Sequence, residues 1–229
     1  PSNLDERRAL SDQAIELCQR AGDHDGLLMN RVLRAAMFME SADMASARFE
    51  TEAFRALAET TSQPQSLWIV KAQQACRLLL DGRLDEVEQL AGACLMTGQR
   101  VRDHNALLTF GVHLTLVRIE QLRVSEVLEV IRDFSARYPR IVGWRVLYAF
   151  ALWRAGQLPA GQAEFRSLKG TGFALPDDLN WMGAMAWLAE LSHAFGDADD
   201  QRLLYERLLP YAGRVVVIGY AGIACLGSV

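Results

Sequence analysis

Residues 75–91 read Ala75-Cys76-Arg77-Leu78-Leu79-Leu80-Asp81-Gly82-Arg83-Leu84-Asp85-Glu86-Val87-Glu88-Gln89-Leu90-Ala91. Apolar residues recur every three or four positions on both sides of Asp81-Gly82-Arg83, which marks two amphipathic helices joined by a tight turn at Gly82. Ala75 stands seven residues before the glycine, and Val87 and Ala91 stand five and nine after it. Two helices crossing in a hairpin approach closely only where the contact side chain is short, so a small residue at a fixed offset has a packing cause.

The same frame recurs along the chain. With Ala42, Gly82, Leu122, Gly156 and Gly196 taken as the residues closing the first helix of each pair, the spacings are 40, 40, 34 and 40 residues. Ala35, Ala75, Thr115, Ala149 and Ala189 stand seven before these anchors, Ala47, Val87, Val127, Gly161 and Gln201 five after, and Thr51, Ala91, Ile131, Phe165 and Tyr205 nine after. An internal repeat of this period predicts an all-α chain of stacked antiparallel helix hairpins. Twelve helices are expected, near 4–21, 25–41, 44–61, 66–81, 84–98, 103–121, 124–138, 141–155, 159–169, 178–195, 198–212 and 215–226, within a single domain spanning 1–229. The only alternating strand pattern is the short run Val215-Val216-Val217-Ile218, read as part of the last helix. Asp178 is expected to cap the helix after the Gly170–Pro176 connection.

Composition sets the outer limits. The chain has 229 residues, a formal charge of −4, 51% hydrophobic and 23% charged residues, which excludes disorder and offers no electrostatic case for nucleic acid or an anionic membrane. The longest apolar run, Val215 to Gly227, is too short for a membrane-spanning helix, which needs about 20 residues. Cys18, Cys76, Cys94 and Cys225 form no CxxC pair and fall in apolar helical patterns, so they read as free buried thiols of a cytoplasmic protein.

This pattern resembles the tetratricopeptide repeat, over roughly residues 25 to 212: a small residue in helix A, a glycine at the turn, then small and aromatic positions in helix B. The stretches 81–91 and Leu204-Tyr205-Glu206-Arg207-Leu208-Leu209-Pro210-Tyr211-Ala212-Gly213-Arg214 resemble in particular the C-terminal repeats of bacterial LuxR-type transcriptional regulators and ATPase-linked nucleotide cyclases. The resemblance implies a right-handed superhelix, and a sensor or scaffold region that binds a protein partner or a small hydrophobic effector. A free-standing adaptor for a peptide or an amphipathic helix is the alternative. Both ends read as cuts within a repeat, and a last helix offering Ile218, Tyr220, Ile223, Cys225 and Leu226 would favour self-association.

No catalytic constellation is legible. GxxxxGK[ST], GxSxG, HExxH and the EF-hand loop are missing, and no cofactor is implied. Glu190 and His193 make one Glu-x-x-His pair where a di-metal site needs two, and His113 lies mid-helix with neither acid nor histidine at i±4. The chain is therefore read as a binding protein and not an enzyme. In the repeat family helix A lines the concave wall at positions that fall 13, 10, 6, 3 and 2 residues before each anchor. They include Met29, Val32, Ala36 and Met39, then Ile69, Ala72 and Cys76, then Val112, then Val146, Phe150, Trp153 and Arg154. Val146, Phe150, Trp153 and Arg154, with Met39 and Val112, are the candidate binding residues, Arg154 orienting an anionic group. The other reading is that superhelical winding or the last helix buries this wall as core.

Overall fold

The computed structural model describes residues 3–61, 64–219 and 221–229. Eleven α-helices follow one another: α1 Leu4–Ala21, α2 His24–Glu40, α3 Met44–Thr60, α4 Pro64–Leu80, α5 Leu84–Arg100, α6 Asn105–Glu120, α7 Leu128–Arg137, α8 Val142–Arg154, α9 Leu158–Gly170, α10 Trp181–Phe195 and α11 Ala198–Leu208. Short 3-10 turns, Val124–Val127 and Leu209–Tyr211, precede α7 and follow α11. Among the described residues the chain is all-helical apart from one two-stranded hairpin, β1 Val215–Ile218 and β2 Ala224–Ser228.

The hairpin replaces the helix expected over 215–226. Four consecutive β-branched residues in β1 favour an extended backbone, and Gly219 and Gly222, at φ 74° and 58°, supply the left-handed conformations of the reversal. Tyr220 lies outside the described residues. The expectation of an exposed apolar terminal helix fails with it: Val216, Ile218, Ile223 and Cys225 are buried.

The repeat frame is written into the backbone. Ala42, Gly82, Leu122 and Gly156 all have positive φ, at 61°, 71°, 57° and 75°. At each, the anchor N–H donates to the carbonyl three residues back and the next N–H to the carbonyl four before the anchor, as in Gly82 to Leu79 and Arg83 to Leu78. This is the Schellman closure of a helix, made four times with one register. Ala35, Ala75, Thr115 and Ala149 are buried, and so are Ala47, Val87, Val127 and Gly161 after the turn.

The fifth anchor departs from the series. Gly196 has φ −90°, and Gln201 and Tyr205 are exposed where the frame requires burial. Asp200 and Leu204, one residue earlier, are buried in their place. A capping box at Asp197 and Asp200, joined by Lys169 Nζ at 2.8 Å from each carboxylate, fixes this shifted register. The cap expected at Asp178 also moves: α10 begins at Trp181, and Asp178 accepts from the Asn180 N–H in the preceding turn.

The chain gathers into two compact units. The first runs to His113 and takes in Val217–Gly227; the second is Leu114–Val216 with Ser228–Val229. In the first, α1 packs on α2, α2 on α3, α3 on α4 and α4 on α5. Trp68 is fully buried with its Nε1 donating to Asp103 at 3.0 Å, and Glu50, 2% exposed, accepts from Arg31 and Arg34 at 2.9 and 2.6 Å. In the second, α8 is central, packing on α7, α9 and α10. The connection after α9 is pinned by Phe173, buried against Phe165 with its carbonyl accepting from Arg207 at 2.9 Å.

Candidate functional site

Within the first unit, the turn of the hairpin lies among the helices that close at the first three anchors. Gln73 of α4 donates its Nε2–H to the Ala221 carbonyl at 3.0 Å, and His113 of α6 meets the Ile223 carbonyl through Nε2 at 2.6 Å. Gly222 lies against α2: a Cβ placed there would stand 2.9 Å from Met39 Sδ and 3.5 Å from Ala36 Cα. Met39 and Ala36, counted from the first anchor, and Cys76, counted from the second, lie against the hairpin, the first two at Gly222 and the third near Cys225.

The polar contacts are made by residues the sequence frame passed over. Gln73 and His113 each stand nine residues before an anchor, so they are repeat-equivalent, 40 residues apart. Their signal is visible in retrospect as two amide- or imidazole-bearing residues at one offset in otherwise apolar helices. Both are buried, His113 completely. To donate to a carbonyl, His113 must carry its proton on Nε2, which leaves Nδ1 a bare acceptor. Nδ1 of His113 and Oε1 of Gln73 have no hydrogen-bond partner among the described residues. Burial pushes the His113 pKa below its ordinary value, the bond to Ile223 opposing it in part. Burial likewise raises the Cys76 and Cys225 thiols; the neighbouring Cys225 raises Cys76 further, and a backbone hydrogen bond at Gly227 opposes the rise at Cys225.

The six residues singled out by the repeat frame divide between the units. In the first, Met39 is half-buried under the hairpin turn and Val112 is buried beside His113 in α6. In the second, Val146 and Phe150 are core, Trp153 is half-buried and Arg154 is exposed. Phe150 contacts Trp153 edge-on at 5.5 Å and Trp187 at 6.1 Å, and the Arg154 guanidinium lies 5.7 Å over the Phe150 ring. Partial burial raises the Glu190 carboxyl above the usual glutamate value and the charge of Arg154 opposes the rise. Only Trp153, Arg154 and Glu190 of this group reach solvent; the rest fill the interior of the α8–α10 pair.

A separate cavity of about 130 Å³ lies in the first unit, lined by buried Leu28, Val32, Phe54 and Ser66 and by Asp25, Met29 and Ile69. Among the described residues no group of His, Cys, Asp and Glu is placed to hold a metal ion, and no helix is long and apolar enough to cross a membrane. Against protein-family models, curated proteins and solved structures, the chain gives no match.

Proposed function

We propose that this chain is a tetratricopeptide-like sensor or scaffold region of a bacterial regulator of the LuxR type, winding as a right-handed superhelix whose first helices of each hairpin carry the binding wall. The observation that supports this reading is the fourfold recurrence of one helix closure, with small buried residues at constant offsets before and after it. Such a frame builds a wall from successive helices and sets apart a row of equivalent side chains facing one ligand. Trp153 and Arg154 supply an aromatic edge and a cation at the surface of the second unit, suited to a partner with an apolar residue beside an anionic one.

Two measurements test the reading. A compact globule of this length has a radius of gyration of about 17 Å, and small-angle scattering from the superhelix is expected to exceed it; a value at 17 Å overturns the superhelix. For the regulatory role, a chromosomal Trp153→Ala/Arg154→Ala variant that keeps its helical circular dichroism is expected to shift the transcripts that respond to deletion of the whole region. A transcript profile unchanged in both strains overturns it.

A further inference from the structure

We propose that the cavity lined by α2, α3 and α4 in the first unit is a site for a neutral monocyclic molecule of about six to eight non-hydrogen atoms that carries one hydroxyl group, phenol being the simplest case. The site draws on neither Trp153 nor Arg154, the residues of the regulatory reading, so either can fail without the other.

Volume sets the size of the occupant. An apolar cavity of about 150 Å³ takes up one benzene ring, and this one measures about 130 Å³. A single ring with one small substituent fits, whereas a fused ring system or a peptide segment does not. The apolar lining comes from three helices: Leu28 and Val32 stand one turn apart on α2, Phe54 is on α3 and Ile69 on α4. Leu28, Val32 and Phe54 belong to the buried core, so their positions are fixed by neighbours before any ligand arrives. Met29 is half exposed and Asp25 exposed, which leaves the cavity a path to solvent.

The two polar side chains of the lining set its chemistry. Ser66, buried in the first turn of α4, brings a hydroxyl that both donates and accepts, which suits a ring hydroxyl as its partner. Asp25, in the first turn of α2, brings a carboxylate, and among the described residues no lysine, arginine or histidine lines the cavity with it. An anionic ligand would meet a like charge there with no cation in the lining to offset it, so the site takes a neutral ring and rejects the same ring bearing a carboxylate. This selection follows from the charge of Asp25, whatever else the side chain bonds to.

The test titrates phenol and benzoate separately into the full chain at neutral pH, followed by the NMR shifts of the backbone amides. Phenol is expected to saturate with a Kd of about 1 mM, moving the amides of Leu28, Val32, Phe54 and Ile69, and benzoate to bind at least about tenfold more weakly. Asp25→Asn is expected to bring the two affinities within about threefold of each other. Val32→Phe, which fills the cavity with side chain, is expected to weaken phenol by at least about tenfold. Phenol that does not saturate, equal affinities in the wild type, a preference for phenol that survives Asp25→Asn, or phenol binding undiminished in Val32→Phe overturns the proposal. If Val32→Phe unfolds, the wild-type shifts decide: shifts centred on any other element overturn it.

Discussion

His113 and Ile223 are 110 residues apart in sequence, and the imidazole Nε2 of the one lies 2.6 Å from the carbonyl oxygen of the other. The bond joins the fully buried middle of α6 to the turn of a hairpin whose strands are themselves only four and five residues long. A ribbon of that size is marginal alone. Its order rests on the side chains that hold the turn, so the chemistry of one histidine controls how firmly the segment stays in place.

That dependence gives the stability a pH profile with a definite sign. Burial holds the folded-state pKa of His113 below its ordinary 6.5, so the unfolded chain takes up this proton first as pH falls. The contribution of neutral His113 is complete above pH 6.5 and is lost progressively below it, at up to about 1.4 kcal/mol per pH unit. Urea unfolding at pH 7.5 and 5.5 is expected to show this loss in the wild type and a flatter profile in His113→Gln, which keeps a donor but cannot titrate. Identical pH slopes would place the titrating group elsewhere.

Glu50 gives a second expected outcome. Its carboxylate is 3% exposed and bridges Arg31 and Arg34, the latter also reaching Asp12 at 2.7 Å. Removing one member of a buried ionic cluster leaves the others desolvated without compensation, which costs about 3 to 5 kcal/mol. Glu50→Ala is expected to lower the unfolding free energy measured in urea by that amount, whereas Glu52→Ala, whose ion pair to Arg55 is on the surface, is expected to change it by under about 1 kcal/mol.

The repeat anchors were legible because a helix closure has a local cause. Glycine at 82 and 156 marks the left-handed residue directly, and the small residue seven positions earlier marks the crossing. Ala42 and Leu122 adopt the same conformation without glycine, and only the break in helical pattern and the 40-residue spacing from Gly82 mark them. The fifth turn escaped because its register is set by Lys169, 28 residues upstream of Asp197, a tertiary contact that no local pattern carries. The hairpin escaped for a related reason. A run of apolar residues 215–226 has the same composition as a buried helix, and its extended form depends on α2, α4 and α6 accepting it. The shared role of Gln73 and His113 escapes because their common offset marks only two polar residues in apolar helices, and the main-chain carbonyls they meet leave no trace in sequence.

Leu122 turns that reading into a measurement. It holds φ at 57°, where an L-residue is strained by about 1 to 2 kcal/mol, and at 84% exposure it contributes little packing. Glycine relieves the strain at a cost of about 0.5 to 1 kcal/mol in unfolded-state entropy. Leu122→Gly is therefore expected to raise the stability by about 0.5 to 1 kcal/mol, read as a higher melting temperature. A lower one would show that Leu122 makes a contact the described residues do not include.

Gly98 tests the closeness of the helix pair that follows the second anchor. A Cβ at this position would stand 2.0 Å from the Cβ of Ala106 and 3.6 Å from the Trp68 ring, so α5 and α6 meet here backbone against methyl. Gly98 has ordinary helical φ, and alanine is the better helix former, so propensity alone makes Gly98→Ala stabilising by about 1 kcal/mol. The clash opposes this: Ala106 is fully buried, and a displaced α6 would also move Asp103, the acceptor for Trp68 Nε1. Overpacking of a rigid contact costs about 1 to 3 kcal/mol, which exceeds the propensity gain. Gly98→Ala is expected to destabilise by about 1 to 2 kcal/mol net and to red-shift the Trp68 fluorescence as its indole is exposed. Ala106→Gly in the same chain removes the opposing methyl and is expected to recover most of the loss, giving a coupling energy of about 1 kcal/mol or more in the double-mutant cycle. Additive effects would mean that α5 and α6 do not touch at this pair.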